Sequence, residues 1–436
     1  MLFRSVLPKL FAKESGKTKN PRVATLLCLV VAILGIYYGS IEKIAPILTM
    51  FYLVAYATLN LATGLESLLG NPSWRPTFRV PWLVSIAGVI LCIMAMFMIE
   101  PGAAFIALFL VSIIYICMRS RNIAGNWEDI RYGILMLLSR FAIYRLAQGK
   151  GSPRSWRPNF LVLSDNPLQV SSLVNLTSAI TRSKGFLTLA SVFPPNIADL
   201  TRAERWKKIV NNYLKEKKID ALVEFAIDDS IFNGAQKFLT SYGLGTINPD
   251  TLVLGESATP EGLEDFVLII QAACQANKNV VIVRDKESEH PSPQKIDIWW
   301  DDESRHNSEL MLLFGHMLSF NKAYKKAAIN LNGIAPTEAG KEQRLKYFQD
   351  FFSKGRFSFN TNVYIGEPSL QIQRSIISQV SKDADIVLIG IKPPNLTGPI
   401  DEYMEYYKQV IYDTAGIPNA TFVIGSSHLN LREIFN

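Results

Sequence analysis

Cysteine and histidine are scarce in this 436-residue sequence, at four each. Cys28, Cys92, Cys117 and Cys274 lie far apart, and the first three sit inside apolar runs. That spacing argues against a disulfide framework or a zinc ligand set. His290, His306, His316 and His428 are equally scattered. There is no P-loop, and no G-x-G-x-x-G follows a strand-like run; Gly243-x-Gly245 lacks a third glycine at the right offset. Serine and histidine do not fall at strand ends in any nucleophile–base order. The residues therefore call for no catalytic residue, no cofactor and no metal site, and an enzyme is not expected.

Charge is unevenly distributed. Residues 1–155 hold 16 Lys/Arg against 6 Asp/Glu, and the rest of the chain holds 29 against 32. The net charge of +7 thus comes from the first third, which is otherwise apolar. A nucleic-acid partner needs a basic, aromatic-rich patch on a folded domain. The later part has no basic excess, so none is expected, and a membrane surface accounts for the charge better.

Four apolar runs, 23–39, 44–65, 80–99 and 102–118, read as transmembrane helices, since about 20 apolar residues span a bilayer and about 17 is the lower limit. A long basic stretch precedes the first run and no small-residue cleavage site follows it, unlike a signal peptide. Lys and Arg set the orientation. Residues 1–22 carry Arg4, Lys9, Lys13, Lys17, Lys19 and Arg22; the turn after the first run carries Lys43 alone. Arg75 and Arg79 follow the second run, none follows the third, and Arg119 and Arg121 follow the fourth. The alternation predicts a multi-pass protein of the cell membrane with both chain ends cytoplasmic.

Small residues make packing stripes: Ala24, Cys28, Ala32 and Gly35 in the first run, and Ser85, Gly88, Cys92 and Ala95 in the third. Tyr52, Tyr56, Asn60 and Thr63 share a face of the second run. Interhelical hydrogen bonding is the favoured role for them, over a wall of an aqueous vestibule. Asn126 suits the cap of a following helix. In that helix Ile130, Ile134, Leu137, Leu138, Phe141 and Tyr144 crowd one side, which predicts an amphipathic connector. Residues 148–153 read as a linker, so that 119–155 form a connecting segment.

From residue 156 onward, strand-like runs alternate with helical ones. The strands are expected at 160–164, 186–193, 221–227, 251–255, 280–283, 296–300, 327–332, 362–365, 386–391 and 421–424. Thr201 with Glu204 makes a capping box, and Thr259-Pro260 suits a helix start. A basic, aromatic helix from 338 to 354 ends at Gly355, a plausible residue to follow it. Such alternation implies parallel sheets covered by helices. Two Rossmann-like subdomains are expected, 156–290 and 291–436, meeting near the polar stretch 286–294, with no convincing sequence repeat between them.

Ala45-Pro46-Ile47-Leu48-Thr49-Met50-Phe51, Asn60-Leu61-Ala62 and Asn71-Pro72-Ser73-Trp74-Arg75-Pro76-Thr77-Phe78 resemble the cation–chloride cotransporter family. So do Asn126-Trp127, Trp156-Arg157-Pro158-Asn159-Phe160-Leu161-Val162-Leu163 and Asn248-Pro249-Asp250-Thr251-Leu252-Val253-Leu254-Gly255. Ile296-Asp297-Ile298-Trp299-Trp300, Val387-Leu388-Ile389-Gly390 and Glu402-Tyr403-Met404 continue the likeness in the family's order. The resemblance implies the last four of twelve transmembrane helices followed by a regulatory cytoplasmic domain that helps form a homodimer. It also implies a symporter of chloride with sodium, potassium or both, whose ion site lies in broken helices upstream. A chain without those helices is not expected to transport alone. Where the family has an Asp-Gly-Gly-Leu step after the double tryptophan, this chain has Asn307-Ser308-Glu309-Leu310. An amino-acid or polyamine permease-like transporter and a freestanding membrane-anchored sensor are the alternatives.

Asp301, Asp302 and Glu303 form an acidic cluster, with a solvated loop favoured over a cation site. His306 and His316 read as structural or surface residues. The turns at 164–167, 255–259, 390–394 and Gly425-Ser426-Ser427 follow strands, where α/β sheets bind ligands. The last resembles universal-stress-type nucleotide binders, though fold alone is weak warrant for a bound nucleotide.

Overall fold

The computed structural model describes residues 22–70, 75–78, 80–120, 127–149, 156–164, 167–182, 184–195, 197–257, 262–284, 294–301, 304–355, 359–367 and 369–427. They fall into two compact units divided after Ala142. Asn126, Thr259, Pro260, Asp302, Glu303, His290 and His428 lie outside the described residues. So do the basic segment 1–21, the stretch 71–74, most of the linker and nearly all of the polar junction.

The first unit holds α1 (Arg22–Tyr38), α2 (Ile41–Leu69), α3 (Trp82–Ile99) and α4 (Pro101–Ser120), one helix for each apolar run. Ile44–Leu69 and Trp82–Ile99 are long and apolar enough to cross a membrane; Cys28–Tyr37 and Pro101–Ile113 are shorter apolar stretches. Gly70 ends α2 in the left-handed region at φ 63°, its N–H bonded to Glu66 O at 3.1 Å, the usual glycine stop. The small residues of α3 admit α2 closely: a Cβ on Gly88 would lie 3.1 Å from Asn60 Cγ, and one on Gly64 3.2 Å from Ser85 Cβ. Asn60 Nδ2 donates to Tyr56 O, 3.0 Å away in its own helix. The α2–α3 contact at Asn60 is therefore packing, not the expected interhelical hydrogen bond. Gly35 of α1 has no such neighbour.

α5 (Trp127–Gln148) follows. The expected amphipathic character is not what it shows. Tyr132, Leu135, Met136 and Leu146 are as exposed as Leu138, Phe141 and Tyr144, and at 100° per residue the two sets fall on opposite sides. Apolar side chains therefore occur on every side of the helix, interspersed with Arg131, Arg140 and Arg145.

The second unit carries all ten expected strands: β1 (Phe160–Leu163), β2 (Leu187–Phe193), β3 (Leu222–Ile227), β4 (Thr251–Gly255), β5 (Asn279–Val283), β6 (Lys295–Trp299), β7 (Ala328–Ala335), β8 (Asn360–Ile365), β9 (Ile386–Gly390) and β10 (Ala420–Ile424). Helices α6 (Pro167–Thr181), α7 (Ile197–Lys217), α8 (Ile231–Ser241) and α9 (Leu263–Gln275) join the first five. Likewise α10 (Arg305–Ser319), α11 (Glu338–Gly355), α12 (Leu370–Val380) and α13 (Ile400–Asp413) join the last five. α7 begins at Ile197, so Thr201 lies inside it and is not its cap. Its buried stripe is Ala203, Trp206, Val210 and Leu214. Gly355 is the last helical residue of α11 and does not follow it.

The strands form one sheet in the order β3-β2-β1-β4-β5-β10-β9-β6-β7-β8. Each half has the same winding, a five-strand parallel set, and the halves join through an antiparallel β5–β10 pair with Val281 opposite Val423. The two expected sheets are thus continuous, joined at β5–β10. Both strands are buried along their whole length, so an unpaired edge there would strand buried backbone polar groups. Alternation along the strands feeds two apolar cores. Phe160, Val162, Ile296 and Ile298 meet Phe314 and Phe348 on one face; Leu161, Leu252, Val387 and Phe422 meet Tyr407 on the other.

The repeat is readable once the halves are superposed by register. Phe160 pairs with Thr251 as Ile296 pairs with Ile386. This aligns Asp250-Thr251-Leu252-Val253-Leu254-Gly255 with Asp385-Ile386-Val387-Leu388-Ile389-Gly390.

Candidate functional site

In each half the winding reverses between the first and fourth strands, β1 and β4 or β6 and β9, and such reversals open a crevice at the strands' carboxyl ends. Ser164, Gly255 and Gly390 stand there, and Gly425 follows β10.

The second crevice is closed by the chain itself. Asn307, in the first turn of α10 and fully buried, donates through Nδ2 to Ile391 O at 3.0 Å and Asp301 Oδ2 at 3.2 Å. Its Oδ1 accepts from Gly425 N at 2.7 Å. Ser308 Oγ accepts from Asp301 N at 2.8 Å. A Cβ on Gly390 would lie 2.8 Å from Asp301 Oδ2 and 3.1 Å from Asn307 Cβ, so a larger residue would push this network apart. Asn307 thus ties three strand ends together, and Ser308, at a position where the resemblance has a glycine, adds its bond to Asp301. The Gly425-Ser426 turn is committed as well: Ser426 N donates to Asn279 Oδ1 at 2.8 Å and Ser426 Oγ to Asn277 O at 2.9 Å. It is not free to cradle a phosphate.

At the first crevice, Glu256 after β4 pairs with Arg284 after β5; Arg284 Nη2 is 3.2 Å from Oε1, and Nε contacts Oε2. Arg284 also donates to the carbonyls of Thr414 and Ile417 beyond α13 and lies 5.4 Å from the Phe422 ring centre. This buried pair fastens one half of the sheet to the other.

An open cavity of 460 Å³ lies beside the second crevice, walled by Trp300, Arg305, Pro336, Gly340, Arg344 and Tyr347. Arg344 Nη1 donates to Ile334 O. Arg305 Nε donates to Glu309 Oε1 at 2.8 Å, while its Nη2 is enclosed without a hydrogen bond. Trp300 stands edge-on to Phe348, centroids 5.5 Å apart. Two guanidinium groups and aromatic walls suit an anion with a flat apolar part. Asp301 belongs to the closing network, so the cavity has the means to bind and no nucleophile–base pair. Neither Arg305 nor Arg344 was legible in the sequence, because they come from different helices with no shared motif.

Asp301, read as part of an acidic loop, is thus a structural ligand of backbone and amide groups. His306 and His316 both lie on α10 and share no site. His316 is held below the usual imidazole range by burial and meets Phe320 edge-on at 4.7 Å.

At the amino-terminal end of the first half, Asp250 accepts from Asn159 N at 3.2 Å and Thr251 Oγ1 at 2.6 Å. Lys278 Nζ donates to the neighbouring Pro249 O. Burial pushes the Asp250 carboxyl up to about 7, against the pull of these hydrogen bonds and of Lys278. Burial also lowers the Lys278 ammonium, which the aspartate partly offsets.

Residues 170–292 match the family model of solute carrier family 12. The cytoplasmic domain of a prokaryotic cation chloride cotransporter is similar at 16% identity and a TM-score of 0.46, over 64% of this chain and 99% of that one. A universal stress protein from Archaeoglobus fulgidus is similar at 10% identity and a TM-score of 0.45, over 63% of this chain and 99% of that one. Through the stretch 170–292, which runs from α6 past β5, the likeness of this sequence to the cation–chloride cotransporters is a match to solute carrier family 12.

Proposed function

We propose that this chain supplies the scaffold helices and the regulatory cytoplasmic domain of a secondary active cation–chloride symporter. The observation that carries the reading is the solute carrier family 12 match within the α/β unit, in a chain whose first unit holds four consecutive apolar helices. Large side chains such as Leu59, Leu83, Leu91, Phe105 and Phe109 are exposed on these helices. Lipid solvates them and water does not. On this reading all four helices cross the cell membrane, both termini are cytoplasmic, and α5 and the α/β unit pair with a second copy. Sodium, potassium and chloride move through other helices of the transporter, and this chain performs no chemistry.

Chloride-dependent uptake of labelled rubidium or sodium into vesicles tests it. Uptake is expected with the full-length gene product and not with residues 1–436 alone. No uptake from folded, inserted full-length protein rejects the symport reading.

A second reading, ligand sensing, is favoured by the cavity between Arg305 and Arg344. Millimolar nucleotide or other organic anions are expected to raise the melting temperature of the full chain, and Arg344→Met is expected to abolish the shift. No shift with any anion counts against sensing at this cavity.

A further inference from the structure

Residues 156–436 are slightly acidic overall, yet one region collects cations and rings. The α6 and α10 C-termini meet there: Asn321 Nδ2 donates to Ala179 O at 3.2 Å, and the Arg182 guanidinium lies 5.4 Å from the Phe320 ring centre. Lys184, Lys322, Lys325 and Lys326 surround this contact, all exposed. Phe186 and Phe320 are 52% and 54% exposed. Among the described residues no carboxylate pairs with these cations. At the end of α7, Glu216 and Asp220 are outnumbered by Lys215, Lys217 and Lys218.

The same end receives the chain from the apolar helices. Phe186 N donates to Asn159 Oδ1 at 3.2 Å, and Pro158 O approaches Gly185 so closely that a Cβ there would sit 2.2 Å away. Only residues 149–155 separate α5 from Trp156, a reach of at most about 25 Å. Ala147 in the last turn of α5 lies against Gly245, in the loop leading to β4.

We propose that this basic, aromatic surface docks on the anionic headgroups of the bilayer that holds the apolar helices. The inference rests on the reading that those helices are embedded. Cations close to an anionic leaflet are attracted to it within a Debye length, and exposed aromatic rings favour the interfacial zone. A tethered lipid surface is present at high effective concentration, which favours it over a soluble polyanion.

The test uses the full chain in nanodiscs of neutral phosphatidylcholine, or of phosphatidylcholine with phosphatidylglycerol. The native cysteines are replaced, and a fluorophore is placed through Ala323→Cys, with an acceptor on lipid headgroups. Energy transfer is expected in anionic discs and not in neutral ones. It should fall about tenfold in the Lys322→Glu/Lys325→Glu/Lys326→Glu variant or at high salt. A fluorophore at Gln236→Cys, on the other face of the sheet, should report none of this. Equal transfer in both lipids overturns the proposal, as does insensitivity to charge reversal. So does a response to added RNA that is independent of lipid charge. If the chain does not stay in the discs at all, the membrane reading itself fails, an outcome the wild-type disc preparation shows before any fluorescence is measured.

Discussion

Asp250 and Asp385 occupy the same place in the two halves of the sheet. Each carboxylate accepts the backbone N–H of the residue leading into the neighbouring strand: Asn159 at 3.2 Å for Asp250, and Lys295 at 2.8 Å for Asp385. The aspartate ties the start of the fourth strand to the start of the first, fixing register at the point where each set reverses its winding.

For Asp250 this placement has a pH signature. Its carboxyl titrates near 7 in the folded chain and near 4 unfolded. Between those values the folded state holds the extra proton, so stability falls as pH rises from about 4 to about 7 and is then level. The loss is at most about 4 kcal/mol. Asp250→Asn should flatten this profile and raise the melting temperature at pH 8 relative to wild type, with little gain at pH 5. A wild-type melting temperature that climbs from pH 5 to pH 8 would contradict the assignment, with thermal unfolding followed by tryptophan fluorescence.

Arg284 joins the two halves through Glu256 and the carbonyls near the end of α13. Arg284→Ala leaves a buried carboxylate and carbonyls without their donor. The expected destabilisation is about 3–5 kcal/mol, with Glu256→Gln milder because it keeps the shape and one acceptor. Chemical denaturation of the three proteins checks the order. Equal costs for the two variants would show that the pair does not fasten the halves.

Asn307 closes the second crevice. Asn307→Ala removes two donors and one acceptor, taking from Gly425 N, Ile391 O and Asp301 Oδ2 their bonds to it, at a cost of about 1–3 kcal/mol. Amide exchange at Gly425 should accelerate while exchange in β1 to β3 stays unchanged. Uniform acceleration across the sheet would mean that the network is not local.

The strands were legible because each is a short, β-branched apolar run bounded by turn residues; Asn279–Val283 and Ala420–Ile424 hardly moved from their expected limits. Their joining into one sheet was not legible, since residues 280–283 and 421–424 reveal burial but not which edge meets which. The repeat is not legible in the sequence because it rests on one aspartate and one glycine around a generic apolar core. The basic surface escaped because net charge averages over the whole domain: Lys184 and Lys325 are far apart in sequence and come together only where α6 meets α10. α5 differs from its expected amphipathic form because Tyr132, Leu135 and Met136 lie opposite Leu138, Phe141 and Tyr144.

The proposed function requires that the apolar helices thread the cell membrane and leave the α/β unit inside. Labelling of single-cysteine variants in intact cells with a membrane-impermeant maleimide tests it most directly. Glu100→Cys, between α3 and α4, should react from outside, and Ala323→Cys should react only after permeabilisation. Reaction at Ala323→Cys in sealed cells, or silence at Glu100→Cys under both conditions, contradicts the account.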